Sequence, residues 1–116
     1  MPTSFLKKIN IRSCPRGEHG EIQLAAGEGI AMRLWESEEP NDQKKLSQRD
    51  YEMVGLVIEG KAELWLEGAT TLLEPGDSWV VPKGARHTYK ILESFTAIEA
   101  ITPPVVVRQS DPAQAA

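Results

Sequence analysis

The stretch Gly76-Asp77-Ser78-Trp79-Val80-Val81-Pro82-Lys83-Gly84-Ala85-Arg86-His87 decides the fold of this chain. Ahead of it, Glu74-Pro75-Gly76-Asp77 suits a type II turn, because Pro fixes φ and Gly supplies a positive φ. Trp79, Val80 and Val81 favour a strand. Pro82-Lys83-Gly84 ends that strand and turns the chain, so that His87 opens the next one.

The surrounding sequence is dense in the same signals. Met53-Val54-Gly55-Leu56-Val57-Ile58 is apolar on both faces, as in a strand between two packed layers. Glu59-Gly60-Lys61 reads as a turn, followed by a strand over Ala62-Glu63-Leu64-Trp65-Leu66-Glu67 and another over Thr70 to Leu73. Strands are also predicted at Leu6 to Ile11, Glu21 to Ala25, Thr88 to Leu92 and Phe95 to Ile101, with an optional edge strand at Val105 to Arg108. Ile30 to Glu36 alternates with period two, placing Ile30, Met32 and Leu34 on one face and Ala31, Arg33 and Trp35 on the other. Ser37 to Gln48 is the most polar segment and reads as a solvated loop. No segment combines a helical period with caps. Short strands punctuated by Gly and Pro predict an antiparallel all-β sandwich or barrel.

With 116 residues the chain has the size of one domain. The expected core spans about residues 21–102, with a flanking strand and loop over 1–20 and a flexible tail over 109–116. A net charge of −4 argues against nucleic-acid and anionic-membrane partners, which need a basic surface. No apolar run reaches membrane-spanning length, and the N-terminus lacks the apolar stretch of a signal peptide. Cys14 is the single cysteine, which excludes an intrachain disulfide and fits a reducing cytoplasm.

The spacing G-x5-P-x-G-x2-H from Gly76 to His87 resembles the second conserved motif of the cupin superfamily. Val57-Ile58-Glu59-Gly60-Lys61-Ala62-Glu63 resembles its V-L-E-G-x-x-E piece, and Leu72 to Asp77 its L-x-x-G-D turn. The resemblance implies a cupin β-barrel, a double-stranded β-helix or jelly roll, in which this histidine usually binds a metal. The family's first motif, H-x-H-x3-4-E-x6-G, fares differently. Counting back from Gly60 puts Met53, Arg49 and Ser47 where the other three ligands belong. A guanidinium has no lone pair to offer and its charge repels a divalent ion. The inherited metal site therefore reads as dismantled.

Two functions follow. In the first, the barrel binds a small polar or anionic organic molecule without metal or other cofactor. Its expected pocket residues are His87, Arg49, Met53, Tyr51, Trp65 and Tyr89, with Trp35 and Trp79 as further stacking surfaces. In the second, a divalent metal binds a makeshift set of His87, Glu52 and Glu63 and serves dioxygenase-like or sugar isomerase-like chemistry; Glu52 would need a bulge to turn inward. Acid–base catalysis by His87 with Tyr51 or Tyr89 is a third route. Ser78 lacks the frame of a nucleophile, and His19 reads as a surface residue. The small barrel is also expected to form a homodimer.

Overall fold

The computed structural model describes residues 6–104. Seven strands follow in chain order: β1 (Ile22–Ala26), β2 (Ala31–Glu38), β3 (Ser47–Gln48), β4 (Glu52–Leu66), β5 (Ala69–Leu73), β6 (Ser78–Val81) and β7 (Arg86–Thr102). All pairings are antiparallel.

Two long strands carry the architecture. β4 and β7 pair along nearly their whole length, from Glu52 opposite Thr102 to Leu66 opposite His87. Their register slips between Val57 and Ala62, where the ribbon bends. Gly60 sits in this bend with φ of 85°, and a Cβ there would collide with the carbonyl of Ser94. Only glycine meets both demands. The bend lets each strand serve two sheets. The first half of β4 and the second half of β7 are flanked by β6 on one side and by β2 and β1 on the other. The second half of β4 and the first half of β7 are flanked by β5 and β3. The two sheets fold over one another as a jelly-roll barrel, the predicted all-β class.

The expected turn at Glu59-Gly60-Lys61 is thus a bend inside one strand, and the two strands predicted over Thr88–Ile101 are one. A bulge absorbs the corner, so backbone pairing continues where the sequence suggests a break. Leu6 to Ile11 is not a strand: residues 6–10 have no regular structure and a 3-10 turn follows at Ile11–Ser13. Leu6 and Ile9 are exposed. The candidate strand Val105–Arg108 and the tail lie outside the described residues.

Alternation along the strands builds the core. Met53, Val57, Leu64, Val81, Ile91, Phe95, Ala97 and Ile101 are buried together. Fully burying each large apolar side chain contributes about 1.5–3 kcal/mol. At one end, Val57, Ala62, Leu64 and Leu73 close the interior. The other end is open and holds the cavity.

Candidate functional site

The motif that decides the fold also builds one wall of the cavity. Gly76 has φ of 91°, as the turn requires, and the Asp77 amide donates to the Glu74 carbonyl. β6 then pairs with β4, bringing Val81 opposite Met53 and Trp79 opposite Gly55. Any side chain at Gly55 would run into the Trp79 ring, so this glycine makes room for the indole. The turn Pro82–Ala85 closes by an Ala85 amide bond to the Pro82 carbonyl, and the Gly84 amide donates to the Arg49 carbonyl. Ser47 lies opposite His87 in the β3–β7 pair. These bonds hold the segment from Ser47 to Arg49 against the start of β7.

The result is a cavity of about 520 Å³. Its floor and walls include Ser47, Arg49, Tyr51, Met53, Trp79, His87 and Tyr89. The positions that correspond to the family's four metal ligands therefore converge on one space. They offer a hydroxyl, a guanidinium, a thioether and one imidazole, which is no donor set for a first-row divalent metal. Glu52 and Glu63 do not supply the difference: both are exposed on β4, on the face that alternates away from Met53 and Leu64. No bulge turns Glu52 inward, since pairing with β7 is regular from Glu52 to Val57. Among the described residues no group of three or more His, Cys, Asp and Glu side chains is arranged to hold a metal ion.

His87 is buried, and its Nδ1 lies 3.1 Å from the Ala85 carbonyl. A carbonyl oxygen only accepts, so Nδ1 carries the proton and Nε2 keeps a lone pair for a ligand. Burial lowers the His87 pKa, the bond to Ala85 opposes this, and the charge of Arg49 pushes it further down. The ring is therefore neutral near pH 7. Its edge packs against Tyr89 at 5.8 Å between centroids, and the Tyr89 hydroxyl accepts from Trp79 Nε1 at 3.0 Å. Burial holds the Tyr89 phenol well above its usual pKa, so it stays protonated.

The opposite wall comes from β2 and β7. Arg33 Nε and Trp35 Nε1 both donate to Glu99 Oε1, at 2.6 and 2.7 Å. Arg33 Nη2 also reaches the Tyr51 hydroxyl at 3.3 Å and the Met53 sulfur at 3.7 Å. The guanidinium lies over the rings of Trp35 and Tyr51, 5.5 and 5.7 Å from their centroids. Burial alone would lower the Arg33 pKa, but the Glu99 carboxylate outweighs it and raises it further. Neither Arg33 nor Glu99 belonged to the expected site. The signal was present: Glu99 is the one charge in Phe95–Ile101, on the same alternating face as the apolar Phe95, Ala97 and Ile101.

The segment read as a solvated loop forms the mouth. Asn41 exchanges backbone hydrogen bonds with Ile91, and Lys44 accepts at its carbonyl from Thr88 Oγ1. Lys44 pairs with Glu38 at 2.8 Å and lies over the Trp35 ring. Glu38, Asn41, Lys44 and Lys45 line the cavity, together with His19 from the N-terminal loop, which is exposed and at the mouth at once. Trp65 is elsewhere: it sits on the outward face of β4 and does not line the cavity.

Residues 34–100 match the family described as Cupin domain. The chain belongs to the cupin family. A curated relative from Aquifex aeolicus, an uncharacterized protein, is 36% identical over 55 residues, covering 47% of this chain and 46% of that one. The match thus spans about half of either protein. Among solved structures, KdgF from Halomonas sp. superposes with a TM-score of 0.69 at 23% identity, over 80% of this chain and 87% of its own. An RmlC-like cupin from Shewanella frigidimarina superposes with a TM-score of 0.70 at 16% identity, over 80% and 86%. These likenesses concern the fold. The described residues contain no helix long and apolar enough to cross a membrane.

Proposed function

We propose that this cupin binds a small anionic, polar organic molecule in its barrel, without a metal cofactor. One observation carries the reading. The cavity is lined by four cationic side chains, Arg33, Arg49, Lys44 and Lys45, against two carboxylates, Glu38 and Glu99. The chain as a whole carries −4, so the cavity is a positive well in an acidic protein. Low-dielectric walls strengthen such a field. Arg49 offers a planar fork for a carboxylate, His87 Nε2 accepts from a hydroxyl beside it, and Trp35 and Trp79 flank the ligand's apolar face. A hydroxylated carboxylic acid, such as a sugar acid, suits these groups. The test is a thermal-shift screen of small carboxylates, sugar acids and neutral sugars. Acids are expected to raise the melting temperature in wild type and much less in Arg49→Gln; stabilisation by neutral sugars alone, unchanged in the variant, contradicts the reading.

A second reading rests on His87. A neutral imidazole with a lone pair at Nε2 is also equipped to take a proton from a bound acid. The lone Cys14 supports a reducing, cytoplasmic setting. A homodimeric state belongs to the same proposal.

A further inference from the structure

We propose, on the anion-binding reading above, that Glu99 sets the specificity of the cavity: its second carboxylate oxygen accepts from a ligand hydroxyl and repels a second negative charge, so that the site takes polyhydroxylated monocarboxylates and turns away dicarboxylates. Glu99 lies on β7 between two unlike neighbours, Arg33 on β2 and Gly55 on β4. Arg33 Nε and Trp35 Nε1 both donate to Oε1. Among the described residues no hydrogen bond falls on Oε2. The other flank brings no donor either. Gly55 has no side chain, the space beside it holds the Trp79 ring, and the Trp79 indole N–H is spent on Tyr89. The Glu99 side chain is only 5% exposed and lines the cavity. A sheltered carboxylate oxygen without a protein donor calls for one from whatever fills the space beside it.

Charge decides which donor fits. The Arg33 charge is matched by Glu99 at 2.6 Å and the Lys44 charge by Glu38 at 2.8 Å. The wall formed by β2 and β7 is therefore close to neutral, and the ligand carboxylate belongs at Arg49. A second carboxylate set beside Glu99 brings no proton and faces a like charge across a low-dielectric gap. An ammonium group would suit Glu99 but not the positive well around it. A hydroxyl supplies the proton at no cost in charge. His87 Nε2 takes a second hydroxyl, because its Nδ1 proton is directed at the Ala85 carbonyl. Two acceptors in one cavity thus select a ligand with at least two hydroxyls. A site built this way rejects an analogue that leaves its buried acceptors without donors.

The test is isothermal titration calorimetry of the full chain with matched acids: glycerate against tartronate, threonate against tartrate, and gluconate against glucarate. Within each pair one terminal hydroxymethyl group is exchanged for a carboxylate. Wild type is expected to bind the tightest monocarboxylate at least about 10-fold better than its dicarboxylate partner. Glu99→Gln keeps a carbonyl oxygen for Arg33 and Trp35 and removes the charge. It is expected to bring the same pair within about 3-fold, because Arg33 then carries an unmatched charge that welcomes the second carboxylate. A merely structural Glu99 would weaken both acids alike and leave their ratio unchanged, which overturns the proposal. Equal binding of the pairs by wild type, or a preference for the dicarboxylates, overturns it too and leaves the anion site standing. This wild-type ratio needs no variant, so the proposal stays open to refutation if Glu99→Gln does not fold. Failure of every acid to bind wild type overturns both the anion site and the role of Glu99.

Discussion

The two faces of one sheet both depart from the simple pattern of apolar inside and polar outside. Facing inward, β2 and β7 present Arg33, Trp35 and Glu99. Facing outward, the same strands and β4 present Met32, Leu34, Ile98, Val54 and Leu56. The sheltered face holds a buried ion pair among its apolar residues, while the open face is apolar. On β2 hydrophobicity alone does not decide which face is buried, since Met32 is exposed and Arg33 is half-buried. The interior of this end of the barrel is a cavity with buried charge, and the exterior is an exposed apolar face.

The sharpest break in that contrast is removal of the inward carboxylate. Glu99 is 5% exposed and its partner Arg33 13% at the side chain. Glu99→Ala leaves a buried guanidinium without its counter-charge and is expected to destabilise the fold by about 3–5 kcal/mol, read by urea denaturation. Next comes the room made for Trp79. Gly55→Ala pushes a methyl group into the indole and is expected to cost about 1–3 kcal/mol by overpacking, while quenching or shifting tryptophan emission.

A smaller effect separates the two roles of His87. Its folded pKa lies below the unfolded value of 6.5, so the unfolded chain binds more protons as the pH falls. Its contribution is complete above about pH 6.5 and is lost as the pH drops toward and through the lowered folded value. His87→Gln is expected to flatten that part of the stability–pH curve. If His87 serves a ligand, His87→Ala leaves the melting temperature near wild type; if it is a structural hydrogen-bond donor, the unpaired Ala85 carbonyl costs about 1–3 kcal/mol. Smallest of all is a change on the exposed outer face of β6. Val80→Thr is expected to change monomer stability by less than about 0.5 kcal/mol, measured by thermal melting.

The sequence made the barrel legible through its turns. Pro75-Gly76 and Pro82-Lys83-Gly84 punctuate β6 as expected, and period-two alternation located β2. It could not show that Gly60 bends a strand, because a positive φ suits a turn and a bulge equally. In the site, counting residues from Gly60 led to Ser47, Arg49 and Met53, and these share the cavity with His87. The Arg33–Glu99 wall was missed because it joins residues 66 positions apart, a pairing set by register that local pattern does not encode. The polar run Ser37 to Gln48 is largely the exposed loop its composition implies, with only its ends paired as strands, but local pattern does not show what anchors it. Its backbone is pinned by Ile91 and Thr88, partners remote in sequence. Trp65 faces outward because alternation from buried Leu64 places it there, and the bulge at Gly60 breaks the alternation that would fix its face from Met53.

The central claim is that an arginine, not a metal, organises this cupin cavity. Elemental mass spectrometry of untagged protein, wild type and His87→Ala, tests it most directly after incubation with iron, zinc, nickel and manganese in turn. The account predicts metal far below one ion per chain in both proteins. Near-stoichiometric metal in wild type that disappears in His87→Ala would contradict it.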